Sequence, residues 1–150
     1  MNEDIAASYQ ASGALHHLGI ELVHSEEGRM VGGLTIGPEH LNRAGFVHGG
    51  VLCTLMDFAA CGAGLHAEQG EPQRYGITLA LTTNFTKAAN KGRLTVEGRI
   101  LTAGLKTFTA EAHVTDEAGD IVAHGIGTFQ WRPGSSPSAR SGHTAQSQNG

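Results

Sequence analysis

A single carboxylate lies inside the most apolar segment of this chain. Residues 49–65 read GGVLCTLMDFAACGAGL, and apart from two cysteines Asp57 is the only ionisable side chain among them. Burying an unpaired carboxylate is costly, so Asp57 is a candidate general base or nucleophile. A structural role, in which Asp57 accepts hydrogen bonds from a neighbouring loop, is the alternative interpretation.

The same segment begins with a second group that is suited to catalysis. His48, Gly49 and Gly50 open a predicted helix, where the first backbone N–H groups lack intrahelical acceptors and the helix dipole is positive. The two glycines carry no side chain that would keep a carbonyl oxygen away from these donors. The tripeptide therefore predicts an oxyanion hole, with a simple tight turn as the alternative.

The spacing of these two groups has a structural consequence. Gly49 and Asp57 are eight residues apart, which along one helix corresponds to about 12 Å. Groups that act on one carbonyl must each lie within roughly 3–3.5 Å of the reacting atoms. We therefore expect an obligate homodimer, in which two antiparallel helices across a two-fold axis bring Gly49 of one subunit near Asp57 of the other.

The cysteines and histidines give no sign of a metal or a disulfide. Cys53 and Cys61 are also eight residues apart in the predicted helix, which is too far for a disulfide, so we interpret both as packed thiols. None of the nine histidines shows the spacing that a zinc site needs. We predict no metal and no cofactor.

Composition excludes several classes of function. A chain of 150 residues suits one domain. A net charge of −4 without a run of Lys or Arg argues against nucleic-acid binding. The acidic start of the sequence does not resemble a signal peptide, and no apolar run is long enough to span a membrane. We expect a cytoplasmic protein.

The rest of the pattern predicts one hairpin, one long buried helix and a four-stranded meander. Residues 5–18 favour a short helix, and residues 38–45 and 67–74 favour loops. Hydrophobic alternation and turn residues predict strands at residues 18–25, 29–36, 75–85, 94–102, 106–114 and 121–131. Hairpin connectors at residues 90–92, 102–104 and 116–120 predict antiparallel pairing of consecutive strands.

Together these elements predict an α+β fold, in which an antiparallel sheet of five or six strands wraps around a long central apolar helix. The domain should cover residues 1–132. Residues 133–150 are rich in Ser, Pro, Gln and Asn, and we predict a disordered C-terminal tail there.

Several segments carry a resemblance to one family. Residues 42–57 read NRAGFVHGGVLCTLMD and resemble the signature of hotdog-fold acyl-CoA thioesterases of the phenylacetate-degradation type, which are related to hydroxybenzoyl-CoA thioesterases. The segments TTNFTK at residues 82–87, GLKT at 104–107 and GIGTF at 125–129 are similar to the same group, so the resemblance covers about residues 15–131. Ala88 departs from the pattern, because the family often has proline there.

The resemblance implies roles for individual residues. Asp57 would act as nucleophile or general base, and the Gly49 N–H would bind the thioester oxygen. Asn42 would orient groups within the same subunit, and Thr78 falls where a related thioesterase has a serine that positions water. The family implies a homodimer, with a dimer of dimers as a larger assembly.

Further residues are candidates for substrate binding. His48 and Gly50 lie beside the predicted oxyanion hole, and Cys61 lies one helical turn beyond Asp57. The CoA phosphates need cations, which Lys87, Lys91, Arg93 and Lys106 could supply. The candidate substrate-binding set is His48, Gly50, Cys61, Asn84, Phe85, Lys87 and Lys106.

Three functions are compatible with these residues. We favour an acyl-CoA thioesterase that acts on aryl-acetyl or small aromatic thioesters, with medium-chain acyl groups next and acyl carrier protein as another acyl donor. The others are a non-catalytic acyl-CoA binding module and a hotdog enoyl-thioester hydratase, which would normally need a different arrangement of Asp and His.

Overall fold

The computed structural model of the protein describes residues 3–137. Its helices are α1 (Glu3–Gln10), α2 (Gly13–Leu18) and α3 (Gly49–Ala63), with a short 3₁₀ turn at Pro38–His40. Its strands are β1 (Glu21–Glu26), β2 (Arg29–Thr35), β3 (Gly76–Phe85), β4 (Arg93–Ala103), β5 (Thr107–Thr115) and β6 (Ile121–Trp131). The segment predicted as one N-terminal helix is thus two helices, which separate just before Gly13.

All six strands form one antiparallel sheet, and α3 contacts every one of them. Burial alternates strictly along β5, where Phe108, Ala110, Ala112 and Val114 are buried. These side chains pack against the buried face of α3, which includes Leu52, Leu55, Met56, Phe58, Ala59 and Ala60. The predicted α+β hotdog arrangement is confirmed.

The strand order corrects one prediction. The order is β1-β2-β4-β5-β6-β3, so β4, β5 and β6 form a meander but β3 does not pair with β4. Residues 90–92 are therefore not a hairpin connector. The chain crosses from β3 at one edge to β4, which pairs with β2 and β5, and β3 pairs with β6. The prediction that consecutive strands pair was wrong here, because β3 pairs with β6 instead of with β4.

As a consequence β3 is an edge strand. Within the described residues β6 is its only strand partner, so its other edge carries unpaired backbone groups. Ile77, Leu79 and Phe85 on this strand are each about half exposed, at 47%, 52% and 53%. A long apolar edge of this kind is typical of a surface that pairs with another chain.

The apolar composition of α3 predicted a helix that is enclosed on all sides. In the single chain it is not. Residues along one stripe are half-buried or exposed, namely Gly50, Cys53, Thr54, Asp57 and Cys61. The carboxylate of Asp57 therefore lies at the boundary of the core in the single chain, and not deep within it.

The C-terminal end of the described chain packs on the sheet. Ser135 is buried, and its hydroxyl accepts a hydrogen bond from the Tyr75 N–H at 3.0 Å, while the Ser136 hydroxyl donates to the Leu105 carbonyl at 2.9 Å. The first residues of the predicted disordered tail are thus ordered here. Residues 138–150 of that segment lie outside the described residues.

One glycine sets how closely α3 approaches the sheet. A Cβ atom at Gly98 of β4 would lie only 2.1 Å from the Ala59 carbonyl oxygen of α3. We expect Gly98→Ala to lower the free energy of unfolding by about 2 kcal/mol, because backbone must shift to make room. Urea denaturation at matched protein concentration measures the change.

Gly13→Ala is the matched control, because nothing lies within 4 Å of a Cβ atom there. That variant should be as stable as the wild type or slightly more stable. Equal stability of the Gly98→Ala variant and the wild type would contradict the tight contact.

Candidate active site

The start of α3 presents one free backbone donor. His48 is the N-cap, and its Nδ1 accepts a hydrogen bond from the Gly50 N–H at 2.9 Å. The Val51 N–H donates to the His48 carbonyl, also at 2.9 Å. Among the residues described, none accepts a hydrogen bond from the Gly49 N–H. The Gly49 N–H is therefore the donor that remains for a ligand at the positive end of the helix.

The capping bond occupies one polar atom of His48 and one of Gly50. Because Nδ1 accepts a hydrogen bond, a neutral His48 ring carries its proton on the exposed Nε2. The Gly50 N–H is already used, so it is not a second oxyanion donor in this arrangement. The His48 backbone N–H donates to the His40 carbonyl at 2.8 Å, which ties the cap to the preceding loop.

A side-chain amide shapes that loop. The Asn42 Oδ1 accepts hydrogen bonds from the Ala44 N–H at 2.9 Å and the Phe46 N–H at 3.2 Å. These bonds close the turn that delivers the chain to His48. The carboxamide oxygen is occupied, so the polar group that Asn42 can offer to a ligand is its Nδ2 donor.

Gly49 and Asn42 line one cavity of about 410 Å³. We call it the Gly49 cavity. Its other walls are the apolar Phe46, Val47 and Leu52, the last residue of β3 and the residues after it, namely Phe85, Thr86, Lys87, Ala88 and Ala89. The structure thus brings together four predicted site residues: Asn42, Gly49, Phe85 and Lys87.

Asp57 is paired with Thr78, a contact that the sequence did not predict, although the family resemblance gave both residues as site candidates. The Thr78 hydroxyl donates a hydrogen bond of 2.6 Å to Asp57 Oδ1. A β-bulge between Thr78 and Ala80 in β3 accompanies this contact. Bulges redirect side chains, and beyond this one Ala80, Thr82 and Asn84 line a cavity together with His124 of β6.

Asp57 lines a different cavity, of about 380 Å³, which we call the Asp57 cavity. It lies between α3 and the N-terminal helices and is lined by Tyr9, Ser12, Ala14, Leu15, Thr54, Asp57, Phe58, Cys61, Gly62, Leu65 and Gly76. Gly49 does not line it. Within one chain Gly49 and Asp57 therefore line separate cavities.

Comparisons with known proteins place this geometry in a family. The sequence profile described as the thioesterase superfamily matches residues 44–123, more than half of the chain. The chain belongs to the thioesterase superfamily. It is a thioester hydrolase, and the match includes His48, Gly49, Asp57 and Thr78.

Individual relatives agree with that assignment. The chain is similar to the 1,4-dihydroxy-2-naphthoyl-CoA hydrolase of Listeria monocytogenes, with 30% identity over 70% of this chain and 84% of the relative. It is also similar to acyl-coenzyme A thioesterase 13 of Homo sapiens, with 27% identity over 71% of this chain and 75% of the relative.

Solved structures share the fold. A conserved protein of Pseudomonas aeruginosa superposes with a TM-score of 0.77 and 28% identity, covering 85% of this chain and 99% of that one. The PaaI protein of the Escherichia coli phenylacetic acid degradation operon superposes with a TM-score of 0.75 and 24% identity, covering 89% and 94%.

Two predicted binding residues of the enzyme lie away from both cavities. Asn84 lies on the other face of the sheet and lines a cavity with His124 and Thr128. Lys106 lies in the β4–β5 connection, where its carbonyl accepts a hydrogen bond from the Trp131 N–H. That is the end of the sheet where β3 begins, whereas Lys87 follows the end of β3.

Lys87 lies at the Gly49 cavity but is not a free cation. Its ammonium group donates to Asp116 Oδ2 at 2.5 Å and to Asp120 Oδ2 at 2.6 Å. The hydrogen bond to Asp116, followed by that to Asp120, raises the pKa of Lys87 above its usual value. The sequence did not reveal this pairing, because residues 116–120 belong to a turn about 30 positions away.

Sequence reasoning also missed the N-terminal wall of the Asp57 cavity. Tyr9 packs edge-on against Phe58, with ring centroids 5.6 Å apart and planes at 87°. A short helix with no clear amphipathic pattern gave no signal for this contact. The spacing of aromatic residues along the sequence could not have predicted this contact, since Tyr9 and Phe58 are far apart in the chain.

No metal site is evident in residues 3–137, where no group of three or more His, Cys, Asp or Glu side chains is close enough to hold an ion. Within that same range no helix is long and apolar enough to cross a membrane.

Cys61 lines the Asp57 cavity as a neutral thiol. Burial, together with the nearby charge of Asp57, raises the pKa of Cys61 from 9.0 to about 12. The thiolate fraction at neutral pH is then about a thousandfold below that of a thiol with the ordinary value. This agrees with a packed thiol and disfavours Cys61 as a nucleophile.

We expect iodoacetamide at pH 8 to modify Cys61 at least about tenfold more slowly in the folded protein than in urea, because only the thiolate reacts. Peptide mapping by mass spectrometry measures the rate at this residue. Raising the pH toward 12 should accelerate the reaction. Equal rates in folded and unfolded protein would show that the thiol is not shielded.

Proposed function

We propose that this enzyme hydrolyses acyl-CoA thioesters in a homodimer, at two equivalent sites that each combine Asp57 of one subunit with the Gly49 N–H of the other. The observation that carries this proposal is the separation of two complementary groups. Asp57, which accepts a hydrogen bond from Thr78, lines one cavity of the chain. Gly49, whose N–H is unpaired within the described residues, lines another. Hydrolysis needs both groups at one carbonyl.

The proposed chemistry follows from the atoms that are free to act. Thr78 occupies Oδ1 of Asp57, and no other described residue donates a hydrogen bond to Oδ2. That oxygen would either take a proton from an attacking water or attack the carbonyl carbon itself. In both routes the carbonyl oxygen becomes negative beside the Gly49 N–H, and the C–S bond breaks when the carbonyl re-forms. In the general-base route, the proton that Asp57 takes from water passes to the leaving CoA sulfur. In the nucleophile route the acyl group remains on Asp57 as a mixed anhydride, solvent water protonates the CoA sulfur, and a second water cleaves the anhydride to release the acid and restore the carboxylate.

The orientation of β3 along α3 supports the dimer. Thr78 near the start of β3 contacts Asp57, and Phe85 at its end lies against Gly49, 3.3 Å from the position of a Cβ atom there. The strand and the helix thus run in opposite directions. Antiparallel pairing of two β3 edges across a two-fold axis would carry Asp57 of each subunit toward Gly49 of its partner.

The exposed edge of β3 gives a second reason. Pairing would satisfy its open backbone groups and cover Ile77 and Leu79, which are about half exposed in the single chain. It would also cover the half-open stripe of α3 around Asp57. A dimer of dimers remains a further prediction, which light scattering tests because it measures the oligomeric state.

The Gly49 cavity is the proposed path of the CoA arm. It continues from the oxyanion donor past Phe85 to Lys87 at the protein surface. Lys87 would contribute a positive charge near the phosphates only in competition with Asp116 and Asp120. We therefore expect a smaller role for Lys87 than the sequence suggested.

The acyl group remains a proposal from the sequence and from relatives. We favour an aryl-acetyl or small aromatic acyl group, with medium-chain acyl groups next. The name of the Listeria relative supports an aromatic CoA thioester, and that of the human relative supports acyl-CoA more generally. We also propose that the enzyme acts in the cytoplasm without a cofactor, CoA being part of the substrate.

Asp57→Asn should lower kcat/KM by about 10²- to 10⁴-fold, because the amide neither accepts a proton nor attacks the carbonyl. A free-thiol release assay across aryl, short, medium and long acyl-CoAs measures it. Glu111→Gln, on the sheet face opposite α3, is the matched control and should retain activity. Near-normal hydrolysis by Asp57→Asn would refute the catalytic role.

Gly49→Pro tests the oxyanion donor selectively. Gly49 is the first helical residue, where proline is tolerated, and His48 already has an extended backbone that suits a residue before proline. Removing this N–H should lower kcat by about 10²- to 10³-fold. Gly49→Ala keeps the donor and is the control for the added Cβ atom near Phe85.

The two variants together test the shared site. Hybrid dimers with one Asp57→Asn subunit and one Gly49→Pro subunit, purified through two different tags, contain one intact site if the groups act across subunits. We expect about half of the wild-type activity per dimer. Inactive hybrids, or an active monomer by light scattering, would contradict the composite site.

A further inference from the structure

One buried histidine lies near the start of α3 and takes no part in the proposed chemistry. His40 ends the 3₁₀ turn at Pro38–His40 and is only 2% exposed. It lines neither the Gly49 cavity nor the Asp57 cavity. A polar side chain is rarely buried so completely unless its hydrogen bonds are satisfied. The contacts of this ring therefore show what it holds in place.

Both ring nitrogens of His40 are hydrogen-bonded. The Gly37 N–H donates to Nδ1 at 2.8 Å, and Nε2 lies 2.8 Å from the Leu18 carbonyl oxygen. Because an N–H can only donate and a carbonyl can only accept, the neutral ring with its proton on Nε2 satisfies both partners. The Glu39 carboxylate, 3.8 Å from Nε2, favours the same tautomer. The ring therefore joins the end of α2 to the 3₁₀ turn.

The backbone of the same residue holds the N-cap of α3. The His40 carbonyl accepts a hydrogen bond from the His48 N–H at 2.8 Å. Next to this bond the backbones of Leu41 and Val47 form an antiparallel bridge, and the Val47 N–H donates to the Ala89 carbonyl at 2.8 Å. The chain that enters α3 is thus tied to His40 and to the segment that follows β3.

The direction of the Gly49 N–H depends on this anchor. That N–H belongs to the peptide plane between His48 and Gly49, and the orientation of the plane follows from the His48 backbone angles, φ −62° and ψ 136°. The His48 carbonyl, in the same plane, accepts a hydrogen bond from the Val51 N–H at 2.9 Å. The bonds at the His48 N–H and at its carbonyl therefore set where the oxyanion donor points.

We propose that His40 is a positioning residue for the Gly49 N–H. Its ring, anchored to Leu18 and Gly37, holds the carbonyl to which the cap residue His48 is bound. The inference rests on the proposed function, because it takes the Gly49 N–H as the oxyanion donor. Such a donor acts most strongly when charge develops on the carbonyl oxygen, and a displacement of about 1 Å costs about 10²-fold in rate. Release of the ring should therefore lower kcat and change KM little.

His40→Asn tests the anchor without removing the whole side chain. The asparagine Oδ1 takes the place of Nδ1 as acceptor for the Gly37 N–H, whereas the bond to the Leu18 carbonyl is lost. We expect kcat for thioester hydrolysis to fall about 10-fold, with KM within about twofold of the wild-type value. His40→Gln, whose amide Nε2 can donate to the Leu18 carbonyl, should keep kcat within about threefold of the wild type, because it retains the bond that reaches outside the turn.

His66→Gln is the matched control. His66 is another buried histidine, 6% exposed, whose ring nitrogens are bonded to Ser25 at 2.9 Å and to Glu68 at 3.3 Å. Within the described chain, neither its ring nor these two partners form a hydrogen bond with the start of α3. We expect lower thermal stability and a kcat within about twofold of the wild type. An equal fall in kcat for His66→Gln and His40→Asn would show a general effect of stability and would overturn the inference.

A double variant tests whether His40 acts through Gly49. In the Gly49→Pro background the oxyanion donor is absent, so adding His40→Asn should lower kcat by less than about twofold further. A further 10-fold loss would mean that His40 acts on another group, and the inference would be wrong. Normal kcat in Gly49→Pro alone would instead refute the oxyanion donor of the proposed function, and hydrogen exchange then decides the positioning role.

Amide hydrogen exchange measures the anchor without catalysis. Because the His40 carbonyl is the acceptor of the His48 N–H, His40→Asn should raise the exchange rate of the His48 amide at least about tenfold relative to the amides of β5. That result in a protein that hydrolyses no thioester would support the positioning role while the proposed function fails. An unchanged exchange rate of the His48 amide would overturn the inference.

Discussion

The close contact between α3 and the sheet is the constraint on which the site depends. At Gly98 the strand backbone has no side chain, and the carbonyl of Ala59 occupies that space. A helix so close to its sheet is fixed in rotation as well as in distance, because its buried face must match the strand side chains beneath it. The rotation leaves one stripe of α3, including Asp57, turned away from the central strands.

That stripe lies against β3, the edge strand, which supplies the hydrogen-bond donor to Asp57. The position of β3 beside β6 puts Thr78 within hydrogen-bond distance of Asp57, and the bulge in β3 accompanies this contact. The same strand ends at Phe85, against Gly49. One edge strand therefore lines both ends of the helix, and a second copy of it would join the two halves of the site.

The polar groups at α3 divide between those already satisfied and those left open. His48 occupies the Gly50 N–H, Asn42 holds the turn before the helix, and Lys87 is shared between two aspartates. Within the described residues, the groups that remain at α3 are the Gly49 N–H and the second oxygen of Asp57. These are the two groups that the proposed hydrolysis uses.

The sequence by itself determined the central helix and three of the five strand pairings, and it indicated Asp57 and Gly49 as candidate site residues, because periodicity, capping positions and an isolated charge are local properties. The candidate Asn42 came from the family resemblance. The sequence also predicted that one helix could not bring Gly49 and Asp57 to one carbonyl, since helical rise depends only on residue count. The tertiary structure decided the rest. The place of β3 at the edge, the pairing of Lys87, the remote positions of Asn84 and Lys106, and the wall formed by Tyr9 all depend on contacts between residues distant in the chain. No local pattern encodes such contacts, because they arise only when the buried surfaces of separate elements are packed together.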